Sequence, residues 1–598
     1  MPPKSPADIE NPTLMLTIKV NGSPIKDYYP INSVNITHEI NKISFAEIVL
    51  LDGSVETGDF PISDSNDFIP GNDIEITAGY GSDTEKSIFK GVIVKQGVQI
   101  NSSEAYNLII TCKHKAVSMT FNKKESAFTN KTDSAIIKAI IDTYSLTATV
   151  DSTTPLMEST FQKLATDWDF VLSRAEFNGF IITFDGDKMT IGKPALNGEA
   201  VLRVAFGESI ISFNAELNAE KQAPSLEATA WDIKNQVLLK STAAEPAINL
   251  QGNLTAKSLS GKLQQTKLSL NSVTPMAQDE LKAWADGNLL RMRLGAQKGQ
   301  VSFVGNAAVK AGSIIEIAGV GERFNGNAFV SSLTHQIAEG EWLTNVKFGL
   351  DSRAVYERMN ISYPAAAGQM PAIHGLQVAT VKKLFEDPES QFRILISLPS
   401  NAEAQDGIWA RMANFYATSS AGAGFLPEVG DEVIVGFLES NPKYPIILGA
   451  LYSNAKQAVA TPADNNNYIK SLITKSQLKL SFDDEKKVII IETPGGNKIT
   501  FSDEAKSVEI EDQNSNSVKM TSSGIDLQSG KDINIKATGN ITLNATGKLN
   551  LTATQDVAVA GLNISNTANV GFTAKGNATA EISAAGQTVV KGAMVMIN

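Results

Sequence analysis

The C-terminal part of this 598-residue chain carries a two-tooth apolar ladder with an eight-residue period. Its rungs are Ile525-x-Leu527, Ile533-x-Ile535, Ile541-x-Leu543, Leu549-x-Leu551 and Val557-x-Val559, and Gly539 and Gly547 share one octad position. That period is neither the turn of a helix nor the spacing of ordinary hairpins. It marks a chain that turns the same corner again and again and grows lengthwise. Residues i and i+2 of a rung face one side of a strand, so Asp526, Asn534, Thr542, Asn550 and Ala558 face the other. Two apolar side chains per turn do not offset the ordering of eight residues at about 1–2 kcal/mol of backbone entropy each. One chain cannot close such a core. Three chains wound together can, with the teeth on the axis and every edge paired by a neighbour.

The ladder therefore predicts an obligate homotrimer and a triangular β-helix over residues 471–598. If each octad advances one strand spacing of about 4.8 Å, roughly sixteen octads give a shaft of about 75 Å. After Val559 the register slips to Leu562-x-Ile564 and Val570-x-Phe572, then shrinks to Ala578-x-Ala580, which narrows the rod. Residues 593–598 are uncharged and mostly apolar, so Val595, Met596, Ile597 and Asn598 are expected to contact a cap.

Length sets a prior of several domains, and 42% hydrophobic residues suffice for packed cores. The net charge of -12 argues against a nucleic-acid partner. A single cysteine, Cys112, excludes an intrachain disulfide. The N-terminal segment lacks a continuous apolar stretch of the signal-peptide kind, and no segment approaches the run of about 20 apolar residues that a membrane helix needs. A soluble chain without a signal peptide is the expectation.

Residues 1–362 read as mixed strands with three helices: about 133–144, about 158–178, and one opening at Thr274-Pro275 with Pro at its first position. Residues 363–455 open with a Pro/Ala/Gly linker and then show five strand-like runs between Leu376 and Leu451. Five short strands in that space suggest an OB-fold. Residues 456–470 are a polar linker that includes Thr461–Asn467, and 471–598 form the rod. The fold class is mainly β with a few helices, with α+β and β-barrel domains at the N-terminus.

This order of parts resembles the VgrG-type spike family of contractile injection systems, which is similar to phage hub-and-spike proteins. The resemblance rests first on the end of the barrel: Pro427, Val429, Gly430, Glu432, Val433 and Phe437, then Pro442, Pro445, Gly449 and Tyr452. It rests also on Glu492–Asn497 at the start of the rod and on Gly319–Gly326, His335 and Phe348-Gly349. The resemblance implies a hub that resembles the phage baseplate hub, with two barrel-like subdomains per chain. It further implies docking on a hexameric Hcp-like tube, contacts with baseplate proteins, a PAAR-type tip protein and effector cargo, and passage through a target membrane on sheath contraction. A family member is made in the bacterial cytoplasm and joins the injection particle at its baseplate. Some relatives carry a lysozyme after the barrel or a toxin after the rod; residues 461–467 leave no room for the first, and no segment after the rod is read here.

The residues offer little chemistry of their own, so no cofactor and no enzyme activity are expected. His38-Glu39 begins a zinc-protease pattern, but Lys42 stands where the second His belongs. Gly319-x-Gly321 lacks the third glycine of a nucleotide loop. Cys112 and His114 have the spacing of one strand face, Asp483-Asp484-Glu485 that of a solvated turn, and Met594 and Met596 that of packing residues. The last histidine is His374, so the rod has no His-x-His iron site. Two other functions stay open: a tail-associated peptidoglycan hydrolase, which needs a catalytic insertion, and a trimeric receptor-binding fibre or adhesin, which needs a head.

Overall fold

The computed structural model describes residues 3–597 except 82–84, 102–105, 250, 273, 400–406, 460–461 and 463. Thr461 of the polar linker and Asn598 of the tip lie outside the described residues. The chain divides into two compact units, Met1–Leu451 and Tyr452–Asn598. It is mainly β.

A 13-stranded sheet organises the first unit. Its central pairing joins distant parts of the chain: Ile31–Glu39 lies antiparallel to Gly326–Ala338, with Thr37 opposite Thr334. On one side of this junction the N-terminal strands bury Val34, Ile48, Ile76 and Ile110 in one core. On the other side Val204, Phe303, Ile315, Val330 and Phe348 form a second core. The alternation of buried and half-buried residues along Phe45–Leu51 and Tyr106–Lys113 is the period-two signature of strands covered on one face.

Helices bury their apolar faces in two further cores. Asp133–Asp142 starts at Thr132, whose hydroxyl accepts the Ala135 N–H at 3.3 Å, and it buries Ile136, Ile137, Ile140 and Ile141. The second helix is shorter than its sequence predicts. Residues Leu156–Thr166 form a strand paired with Lys123–Thr132, and the helix runs only over Asp167–Phe177. The reason is local: the Thr166 hydroxyl caps the Asp169 N–H at 3.0 Å, which places the first turn after the Ser-Thr-Phe run rather than within it. The third helix, Gln278–Leu294, likewise begins after Pro275; the Glu280 carboxylate accepts the Ala277 N–H at 3.0 Å and fixes the start there. Glu176, 3% exposed, accepts from Asn41 Nδ2 at 2.8 Å, the Val355 N–H at 2.6 Å and Arg358 Nη2 at 2.9 Å. One buried carboxylate thus ties together segments far apart in the chain.

The five strands expected near the end of this unit are Gln377–Lys383, Ile394–Ser397, Ile408–Met412, Glu432–Phe437 and Pro445–Ala450. They close into a barrel around Val381, Ile396, Val433, Val435 and Ile447.

The second unit opens as an antiparallel meander of seven five-residue strands: Ile469–Ile473, Lys479–Asp483, Val488–Glu492, Lys498–Ser502, Ser507–Glu511, Ser517–Thr521 and Gly524–Gln528. The expected sixteen octads therefore do not begin at residue 471. Hairpins occupy the first half, because each strand there ends in a turn with a left-handed residue, among them Lys487, Gly496, Lys506 and Ser515. From residue 530 on, the backbone bends at 530–531, 538–539, 546–547 and 554–555, an interval of eight that matches the ladder.

Candidate assembly surface

Register places the meander's side chains in straight cross-strand rows. One row reads Phe482, Ile489, Phe501, Val508, Met520 and Ile525. A second, two residues along, reads Leu472, Leu480, Ile491, Ile499, Ile510, Val518 and Leu527. Both rows lie on one face, since they are offset by two residues in every strand. The opposite face carries Lys479, Glu492, Lys498 and Glu511 in one cross-strand row, with Lys479 and Glu492 paired at 2.9 Å. The last pair of the apolar rows, Ile525 and Leu527, is the first rung of the octad ladder. The apolar double row thus begins before the octads and continues into them.

Among the described residues of the second unit this face stays largely open, with Leu480, Ile499, Val508 and Val518 half-buried. Ile489, Ile491, Phe501 and Met520 are 37–46% exposed, and the ten ladder teeth from Ile525 to Val559 are 53–72% exposed. Singly exposed apolar residues need no explanation, but a contiguous double row of this length marks an interaction surface. Beyond Val559 the expected rungs do not all hold. Leu562 and Val570 lie at bends and are fully exposed, whereas Ile564 at 54% resembles the first tooth of the earlier rungs. At the end of the chain Val595, Met596 and Ile597 are 49, 81 and 91% exposed.

The barrel's signature residues divide into those that build it and those that face outward. Val433 is fully buried, Pro427 and Pro445 are buried, and Phe437 packs against the barrel core. Gly430 has φ +88°, a left-handed conformation suited to glycine, and its N–H bonds the Val381 carbonyl at 2.9 Å. Gly449 is neither left-handed nor crowded, so the structure gives no reason for a glycine there. Glu432 is exposed and Pro442 half-buried. Val429 and Tyr452 are 57 and 65% exposed.

The reactive groups singled out in the sequence serve packing. Burial pushes the Cys112 thiol up to about 12, far from a nucleophilic thiolate. His114 Nδ1 accepts the Ala116 N–H at 3.1 Å and caps a short 3-10 turn, and burial lowers its pKa to about 4. His38 uses both ring nitrogens, on Ser44 Oγ and the Ile88 carbonyl, each at 2.8 Å. His335 Nδ1 accepts from Trp342 Nε1 at 3.2 Å, and burial draws its pKa to about 3. Gly319 and Gly321 have positive φ in the turn between two strands, and Gly326, also with positive φ, opens the second of them. Asp483 accepts the Lys486 N–H at 3.0 Å and Asp484 pairs with Lys470, so this acidic run closes a hairpin. Among the described residues no group of three or more His, Cys, Asp or Glu stands together as a metal site.

Comparison with known proteins supplies the context for these surfaces. Residues 10–339, more than half of the chain, match the Alg8 N-terminal domain family. Residues 377–452 match the type VI secretion system/phage-baseplate injector OB domain, and residues 487–545 match the phage baseplate V C-terminal trimerisation domain. The chain belongs to the Alg8 N-terminal domain family and is a VgrG-type spike protein. The Alg8 match is a finding with no counterpart in the sequence reading.

The spike is 29% identical over 103 residues to the type VI secretion system spike protein VgrG1c of Pseudomonas aeruginosa, covering 16% of this chain and 14% of that protein. It is 29% identical over 139 residues to VgrG3 of Vibrio cholerae, covering 21% and 14%, and 35% identical over 91 residues to the actin cross-linking toxin VgrG1 of the same species, covering 14% and 8%. The spike therefore aligns with only a small part of these curated relatives. Among solved structures it is similar to the 43 kDa tail protein of prophage MuSo2 from Shewanella oneidensis, with a TM-score of 0.42, 8% identity and coverage of 57% and 99%. A Francisella PdpA-VgrG complex gives a TM-score of 0.38 at 9% identity, covering 87% and 80%. These two structural likenesses are too distant to bear on function.

Proposed function

We propose that this spike is the non-enzymatic point of a contractile injection system, working as a homotrimer. The observation that carries the reading is the largely open apolar double row, which runs from the meander through the octads without a mate among the described residues of its own unit. Three copies supply the mates: the double rows meet on a common axis and the charged rows face water. A load along that axis is then borne by backbone hydrogen bonds and buried teeth rather than by any reactive group. Residues 487–545 matching a trimerisation family support this stoichiometry.

On this reading the N-terminal unit docks on a hexameric Hcp-like tube and neighbouring baseplate proteins. The apolar end around Val595–Asn598 takes a PAAR-type tip protein, effector cargo rides with the spike, and contraction drives the assembly through a target membrane. The protein is made in the bacterial cytoplasm and leaves with the particle. The buried His38, with both ring nitrogens hydrogen-bonded, the His335–Trp342 bond and the deeply buried Cys112 favour a mechanical over a catalytic role.

Solution mass tests the trimer: a value near three times 63.9 kDa is expected, and a value near 63.9 kDa overturns it. Co-purification with a hexameric Hcp-like tube protein tests docking, and its absence overturns that part. A zymogram that clears peptidoglycan would overturn the non-enzymatic assignment.

A further inference from the structure

From residue 530 onward, straight segments of six residues alternate with bends. The segments are 532–537, 540–545, 548–553, 556–561, 563–568, 571–576, 579–584 and 587–592. Eight of the bends that bound them, from 530–531 to 593–594, hold two residues. The bend at Leu562 holds one. In the first four segments the ladder teeth are the second and fourth residues. Carried past Leu562 in the same frame, the second and fourth residues become Ile564 and Asn566, Phe572 and Ala574, Ala580 and Ile582, then Thr588 and Val590.

Two independent patterns support this frame. The sixth residue of every segment is small: Ala537, Ala545, Ala553, Gly561, Ala568, Gly576, Ala584 and Gly592. The pattern persists across Leu562 only if the short bend is counted as a whole corner. The second pattern is charge. Before Leu562 the teeth are odd-numbered and the charges within the segments, Asp532, Lys536, Lys548 and Asp556, are even-numbered, while Lys531 lies at a bend. After it the teeth are even-numbered and the charges Lys575, Glu581 and Lys591 are odd-numbered. A one-residue slip moves every side chain of a strand to its other face. Without the short corner these three charges would point at the axis, at a cost of several kcal/mol per buried ion.

We propose that the single-residue corner at Leu562 exchanges the inward face of the three-chain shaft and carries Asn566 to the axis, where the carboxamides of three copies bond one another and align the chains. This rests on the trimer reading above. A buried amide needs hydrogen-bond partners, and in this frame the counterparts at the same level are the other two Asn566 side chains. A lone polar layer in an apolar seam specifies register at some expense of stability, as a single buried Asn does between coiled helices. Leu562 and Val570 then stand on the outside.

Single cysteines placed in the full-length protein, with the buried Cys112 left in place, test the frame through maleimide labelling of the native assembly. Val557→Cys and Ala558→Cys report on the trimer core itself, inward and outward before the corner. Ile564→Cys, Asn566→Cys and Phe572→Cys should label about ten-fold or more slowly than Leu562→Cys and Val570→Cys. Protection of Leu562→Cys and Val570→Cys, with Asn566→Cys labelled freely, overturns the proposal while leaving the trimer intact. Equal labelling of Val557→Cys and Ala558→Cys overturns the trimer reading instead. Asn566→Asp should lower the melting temperature of the trimer and Ser565→Asp should leave it unchanged. Equal melting of both variants and the parent also overturns the axial role of Asn566.

Discussion

Replacing Ile541 by Asp tests the trimeric core directly. Ile541 is 53% exposed in the single chain, so about half of its surface remains to be covered by other copies. Full burial of such a side chain is worth about 1.5–3 kcal/mol, which leaves about 1–1.5 kcal/mol per copy and about 3–5 kcal/mol per trimer to be gained on assembly. Ile541→Asp forfeits that gain and brings three carboxylates onto a dry axis, where each ion costs several kcal/mol more. Thr542→Asp puts the same charge on the outward face and forfeits nothing. Light scattering of the full-length protein at micromolar concentration should show Ile541→Asp falling from about three chain masses toward one, or a trimer melting well below the parent. Thr542→Asp should match the parent. The reasoning fails if Ile541→Asp keeps both the parental mass and the parental melting temperature, or if Thr542→Asp disrupts the assembly equally.

Acid should weaken the N-terminal unit. His335 and His114 titrate near 3 and 4 in the folded chain against an ordinary 6.5, so their neutral forms support the fold fully above pH 6.5. That support fades as pH falls from 6.5 toward 4 and 3, by about 2 kcal/mol for each group at pH 5, and His335→Phe should flatten the dependence in calorimetry. Glu176→Ala should destabilise the same unit by about 3–5 kcal/mol, read from denaturant midpoints, because it strands Arg358 and the Val355 N–H in the interior. Ile447→Ala in the barrel core should lower barrel stability by about 2–5 kcal/mol. Gly430→Ala should cost about 1–2 kcal/mol through its left-handed φ, while Gly449→Ala should be silent in the same melts.

The parts of this molecule that follow one repeating rule are legible from its sequence. Teeth two residues apart and eight residues from the next pair declare both a strand face and a corner, and bends appear at that interval. The meander hides the same apolar face because its turns differ in length, so Phe482, Ile489 and Phe501 fall into line only once the strands are paired. Past Val559 the sequence suggests the pairs Leu562-x-Ile564 and Val570-x-Phe572, because a corner of one residue looks like lost periodicity until the bends are seen. The strand at Leu156–Thr166 reads as helix in the sequence because its apolar residues suit either period, and the Thr166 cap decides between them. The Glu176 cluster was beyond any local reading, since its partners Asn41, Val355 and Arg358 are brought together only by the fold.

The pairing of Ile31–Glu39 with Gly326–Ala338 also sets a timetable for synthesis. A ribosome adding about 5–20 residues per second needs roughly 15–60 s to supply the second strand after the first has emerged. Throughout that interval one edge of the early strand, with Val34 and Ile36 at its centre, has no lasting mate. A nascent chain in this position must be held by a chaperone or by transient non-native pairing. Neighbouring ribosomes on one message would meanwhile present identical open edges to each other, so the hub's central seam is the point at which overproduction of this spike should first lead to aggregation.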